Sequence, residues 1–185
     1  MAQPTRPSGP PKPRVPMLLM PVWDLPSRLF LWLTAAVLAL HAVDAGSYVS
    51  AALLALVLFR VAWGFVGSET ARFRHAFSNA GVGHDPAGSG ALLAWLLLLA
   101  VLALTGLAPG WEAVHRVALY AAGAAAAVHV VVRFIQHRQD LANEWLRGRQ
   151  RLPANLRQPR FANPALAAAV IAAAGAAAGL AAWFT

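Results

Sequence analysis

Residues 91–108 read ALLAWLLLLAVLALTGLA, 18 consecutive positions without a charge. At 1.5 Å of rise per residue such a run covers roughly the 30 Å of a bilayer's hydrocarbon layer. No water reaches that layer, so every backbone N–H and C=O must be paired within the chain, and a lone apolar segment satisfies this only as a helix. Four further apolar runs have similar length. The sequence predicts five spanning helices, at about 27–44, 47–66, 90–108, 114–135 and 163–184. The expected class is therefore an all-α membrane protein.

Composition agrees. Of the 185 residues, 59% are hydrophobic and 12% are charged, where a soluble domain carries about a quarter charged residues. There is no cysteine, which excludes disulfides, thiolate zinc sites, cysteine-ligated iron–sulfur clusters and covalently attached c-type haem. No nucleophile-and-base set and no Walker or zinc motif is present, so neither a hydrolase nor a transporter ATPase is expected. The net charge of +8 suggests nucleic acid in a soluble chain. Here the arginines stand beside apolar spans, and topology explains them, so no nucleic-acid partner is expected.

Residues 1–20 are expected to form a proline-rich, disordered cytoplasmic tail, MAQPTRPSGPPKPRVP being extended and poor in apolar residues. It lacks the apolar core and cleavage site of a secretory signal. One set of loops collects the positive charge. Arg6, Lys12, Arg14 and Arg28 precede the first span, Arg72 and Arg74 follow the second, and Arg138, Arg147, Arg149, Arg151, Arg157 and Arg160 follow the fourth. The opposite loops hold Asp44 and Glu112, with Arg116 just inside span four. The positive-inside rule puts the basic side in the cytoplasm, the N-terminus with it, and Phe184-Thr185 on the far side of the membrane.

Trp23, Trp32, Trp63, Trp111 and Trp183 fall near span ends and read as an interfacial aromatic belt. Asp140, Glu144, Arg147 and Arg149 suggest an amphipathic segment on the membrane surface, and Asp85-Pro86 suits the start of span three. The fifth span is almost all alanine and glycine. Ala173, Gly175 and Gly179 make a small-xxx-small face for close helix packing, within the bundle or against another subunit.

His75, His84 and His137 fall in basic-side loops or at span ends. His41, His115 and His129 fall inside apolar runs, where an ionisable side chain is costly and marks a candidate site. His115 and His129 are 14 residues apart on one span. That places them on one face, about 40° apart in rotation and about 21 Å apart along the axis. The spacing suits two haems stacked across a membrane, each taking one imidazole from this helix. It suits a proton relay or polar packing as well.

Several segments carry a family resemblance. VWDLPSRLFLWL at 22–33, LFRVAWGFVGSETARF at 58–73, GHDPAGSGALLAWLLLL at 83–99, and the stretch from His115 through HRQDLANEWLRGRQR occur in order. Residues 21–152 thereby resemble the bacterial cytochrome b561 family, which includes the b-type cytochrome subunits of nickel–iron hydrogenases. The resemblance implies a four-helix transmembrane bundle over 21–152, with 153–185 as a linker and an added fifth helix. It implies two b-type haems, with His115 and His129 as the ligands from helix four. It also implies electron transfer between a quinone pool and a redox partner protein.

The chain departs from that pattern at the partner ligands. Leu31 stands where the family has the helix-one histidine, and Gly46 where it has the helix-two histidine. His41 lies ten residues beyond Leu31, about 15 Å along helix one at the level of His115, and rotated about 80° from the family's ligand face. The expectation is at most one haem b per chain, or none. His41, His115 and His129 are the candidate iron ligands, and Arg60 is placed to pair with a propionate or, equally, to serve as a positive-inside anchor. Two readings follow: a membrane b-type cytochrome-like subunit of a respiratory chain with reduced haem content, or a haem-free structural or assembly subunit among other subunits of a membrane complex.

Overall fold

The computed structural model describes residues 16–43, 46–73, 86–137, 143, 146–154 and 157–184. The tail before residue 16, Asp44, Arg74, His75, His84, Asp85, Arg138, Asp140 and Glu144 lie outside these residues. Among the described residues five helices are long and apolar enough to span a membrane. They are α1 (Leu25–Val43), α2 (Ser47–Val66), α3 (Pro86–Leu107), α4 (Glu112–His137) and α5 (Pro164–Trp183). The chain is a multi-pass membrane protein, as its apolar runs require.

Local chemistry sets the helix ends. Asp24 Oδ1 accepts the Ser27 N–H at 2.9 Å and caps α1. Gly67 closes α2 by donating to the Trp63 carbonyl at 2.9 Å. Between α3 and α4 the chain turns through Pro109-Gly110, with Gly110 at φ +82°, a conformation that glycine adopts without strain. Asn163 Oδ1 accepts from Ala165 N at 2.9 Å and caps α5, with Pro164 in its first turn.

Helix α2 is the centre of the bundle, packing against α1, α3 and α5. Its Leu53, Val57, Phe59 and Trp63 are buried. They meet Leu96, Leu99, Leu102 and Ala103 of α3 in one core that also takes in Ala118 and Ala122 of α4. Helix α4 packs mainly on α3 and touches α1 lightly. Helix α5 buries Ala167, Ala174 and Ala178 and lies along α2. The Ala173, Gly175 and Gly179 face is not the one that packs within the bundle, which leaves it open to another subunit. A Cβ on Gly175 or Gly179 would meet nothing within 4 Å, and Ala173 is exposed.

The basic end carries structure that composition did not suggest. Strand β1 (Met17–Pro21) pairs antiparallel with β2 (Arg149–Pro153), Leu19 opposite Arg151. The expected tail therefore ends in a strand, and Arg149 belongs to a sheet, not to a surface helix. The Gly148 carbonyl accepts Val22 N at 2.8 Å and Trp23 N at 3.2 Å, and Arg28 Nη1 donates to the Leu146 carbonyl at 2.5 Å. Nearby, Ser68 Oγ accepts from Ala162 N at 2.9 Å and Glu69 Oε2 from Arg160 N at 3.0 Å. Together these bonds form a clasp under the helices.

Candidate functional site

The turns α1–α2 and α3–α4 lie at the end of the bundle away from this clasp. There the antiparallel run of α1 and α4 brings His41, in the last turn of α1, against His115, in the first turns of α4. Their ring centres are 5.4 Å apart and tilted by 37°. Both are buried, at 2% and 6% exposure. The 80° offset of His41 from Leu31 argues against such a meeting only if α1 presents the family's face to α4. In the structure α1 packs chiefly on α2, and His41 faces Ser50 there.

Hydrogen bonds fix the state of each ring. His41 Nδ1 lies 3.3 Å from the Val37 carbonyl and His115 Nδ1 lies 3.1 Å from the Leu102 carbonyl. A carbonyl only accepts, so each Nδ1 carries the proton and each Nε2 presents a lone pair. The Thr105 hydroxyl donates to the Val101 carbonyl at 2.8 Å; its oxygen, 3.3 Å from His115 Nδ1, adds a second acceptor there. Ser50 Oγ, fully buried, stands 3.3 Å from His41 Nε2 and serves as its donor. His115 Nε2 is buried with no hydrogen-bond partner. Of the two lone pairs, one has a hydroxyl donor and the other has none.

The surroundings are closely filled. A Cβ on Gly106 would stand 2.1 Å from Ser50 Oγ and 2.7 Å from His115 Cε1, so not even a methyl group fits beside the pair. A porphyrin needs a plane of open space between its two axial rings and around them. The packing of Ser50 against Gly106 closes that space on one side of the pair. Ser50 and Thr105 carry no signal of their own in the sequence, each being a single hydroxyl inside an apolar run.

The other candidates stand apart from this pair. His129 lies on the exposed side of α4, and Leu31 is half-buried on α1. Gly46 is the N-cap of α2, with extended backbone at φ −60° and ψ 153°. Arg60 is buried in α2. Its Nη1 donates to the Ala71 carbonyl at 3.2 Å and its guanidinium lies 5.5 Å from the Phe73 ring centre. It serves the turn after α2. Trp63 is not part of an aromatic belt: it is 1% exposed and donates its indole N–H to Asp24 Oδ2 at 2.9 Å. Trp111 and Trp183 are exposed, as a belt requires.

Between α1 and α4 runs an open groove lined by Leu38, Ala42, Leu119, Tyr120, Gly123 and Ala124. A second depression, at the turn end, is lined by Ser47, Thr105, Gly106, Glu112, His115 and Arg116 among others. Among the described residues no group of three or more His, Cys, Asp or Glu side chains is gathered as for a metal ion.

Comparison with known proteins adds no relative. No protein-family model matches the chain, and neither a curated protein nor a solved structure matches it.

Proposed function

We propose that this chain is a haem-free subunit of a larger complex in a bacterial inner membrane, built on a frame like that of cytochrome b561. Its N-terminus and clasp face the cytoplasm. Its role is structural or in assembly: it presents apolar helix faces to other subunits. The observation that supports this reading is the filled space around His41 and His115. Two imidazoles that face one another across Ser50 and the bare backbone of Gly106 are packed as a polar cluster. Leu31, opposite the level of His129, offers no ligand for an inner haem.

A second reading is favoured by the groove between α1 and α4. There Ala42, Gly123 and Ala124 leave open space on the side where the family resemblance puts its haems. In that reading the chain binds at most one haem b, with His129 as one ligand, and passes electrons between a quinone and a redox partner.

One measurement separates the two. The chain purified in mild detergent is examined by absorption and by pyridine haemochrome assay. The haem-free reading expects no Soret band. A reduced-minus-oxidised b-type spectrum at stoichiometric haem overturns it in favour of the second.

A further inference from the structure

We propose that His41, His115 and Ser50 form a binding site for one divalent first-row transition-metal ion of the zinc or copper class. The proposal rests on the haem-free reading of this end of the bundle. It starts from the lone pair that the fold leaves unused. A buried acceptor without a donor is costly, and His115 Nε2 is such an acceptor. Moving the proton to Nε2 would leave a buried donor without an acceptor there. The carbonyls of Leu102 and Val37 prevent this, since each holds a proton on Nδ1.

That arrangement is what a metal-ligating imidazole requires. Such a ring donates its distal N–H to a carbonyl or carboxylate, which sets the tautomer and raises the basicity of the ligating nitrogen. Here both rings are set in this way, and Thr105 adds a second acceptor behind His115. Two imidazoles on one ion, with metal–nitrogen bonds of about 2.0–2.1 Å, hold their ring centres within about 6.3 Å. The observed 5.4 Å falls inside that limit. Ser50 Oγ, beside His41 Nε2, becomes the third donor once its proton turns away from the ring.

The donor set selects the ion. Imidazole nitrogens suit zinc, copper and nickel, whereas magnesium and calcium take oxygen ligands. The depression that reaches His115 and Thr105 supplies the route in, with Glu112 and Arg116 together at its exposed mouth. With two nitrogens and one hydroxyl the site is incomplete by itself, and water fills the remaining positions.

The test uses the full chain, purified in detergent without a histidine tag and stripped with a chelator. Zinc titrated into it is followed by calorimetry, and cobalt by its visible spectrum. The expected result is saturable uptake of one ion per chain, with the intense visible bands of low-coordinate cobalt and a raised unfolding temperature. H41Q and H115Q are expected to lose this uptake, and T105V to weaken it about tenfold through the position of the His115 ring. No saturable uptake, or only the weak bands of six-coordinate cobalt, overturns the proposal on the wild-type chain alone. Uptake unchanged in folded H41Q and H115Q overturns it as well, by assigning the ion to surface histidines. A Soret band in the chain as purified instead overturns the haem-free reading on which the site rests.

Discussion

The indole of Trp63 donates to the carboxylate of Asp24 across 39 residues of sequence, N–H to Oδ2, at 2.9 Å. The bond ties the last turn of α2 to the first turn of α1. The same carboxylate caps α1 through Ser27, so one side chain serves two helices.

Replacing Asp24 by alanine removes both functions at once. The cap contributes about 0.5–2 kcal/mol and a hydrogen bond to a charged group about 1.5–3 kcal/mol. Asp24→Ala is therefore expected to destabilise by about 2–5 kcal/mol, and Trp63→Phe by less, since the cap survives it. Thermal unfolding of both variants in one detergent checks the order. Equal losses would show that the cap contributes nothing.

Gly148 sits at φ +65°, and a Cβ there would stand 2.6 Å from the Trp23 carbonyl oxygen. Gly148→Ala forces a left-handed residue and a clash together, and is expected to cost more than about 1–2 kcal/mol. Opening of the clasp should follow, seen as faster amide hydrogen exchange at Val22 and Trp23 in the variant.

Helix α5 gives a paired comparison. Ala174 is buried against the bundle and Gly175 has open space beside it. Ala174→Leu is expected to cost about 1–3 kcal/mol by overpacking. Gly175→Leu should leave the isolated chain folded and gain up to about 0.8 kcal/mol of helix propensity. In the native membrane, Gly175→Leu with Gly179→Leu should release the chain from its partner subunits if that free face is the docking face. Co-purification from gently solubilised membranes decides the last point.

The arginine asymmetry makes a topological prediction. A periplasmic reporter fused after Thr185 should be active, and a cytoplasmic one dark. The absence of cysteine allows a check by single-cysteine labelling: a cysteine at Leu18 should react only after the inner side is opened.

Leu31 marks where the family resemblance expects a ligand opposite His129. Leu31→His is expected to let the chain take up haem at the inner level, detected as a b-type spectrum absent from the wild type. Unchanged haem content in well-folded variant protein would mean that α1 and α4 do not hold a porphyrin there.

The five spans were legible because each is a long apolar run, and length with hydropathy suffices for that inference. The clasp was not. MLLMP and RQRLP are five-residue segments that become strands only by meeting each other across about 130 residues, and no local periodicity announces a partner so distant. Trp63 was misread for a related reason. An indole near a span end suits the headgroup layer equally well, and what buries it is a carboxylate on another helix. His41 and His115 were legible as costly residues at one level of the membrane. Their contact was not, since it depends on how far α1 is turned about its own axis by α2.

The clasp also bears on the order in which this chain can be completed. Its first strand emerges before any helix, yet its partner strand emerges only after α4. Until then Met17–Pro21 has nothing to pair with, and the groove on α2 that receives α5 lies open to lipid. Segments made before α1 and after α4 thus finish the same end of the molecule. Closure of that ring of contacts, with its high sequence separation, is expected to be the slow step of maturation. A chain interrupted before Arg149 would insert its helices and still lack the means to lock them.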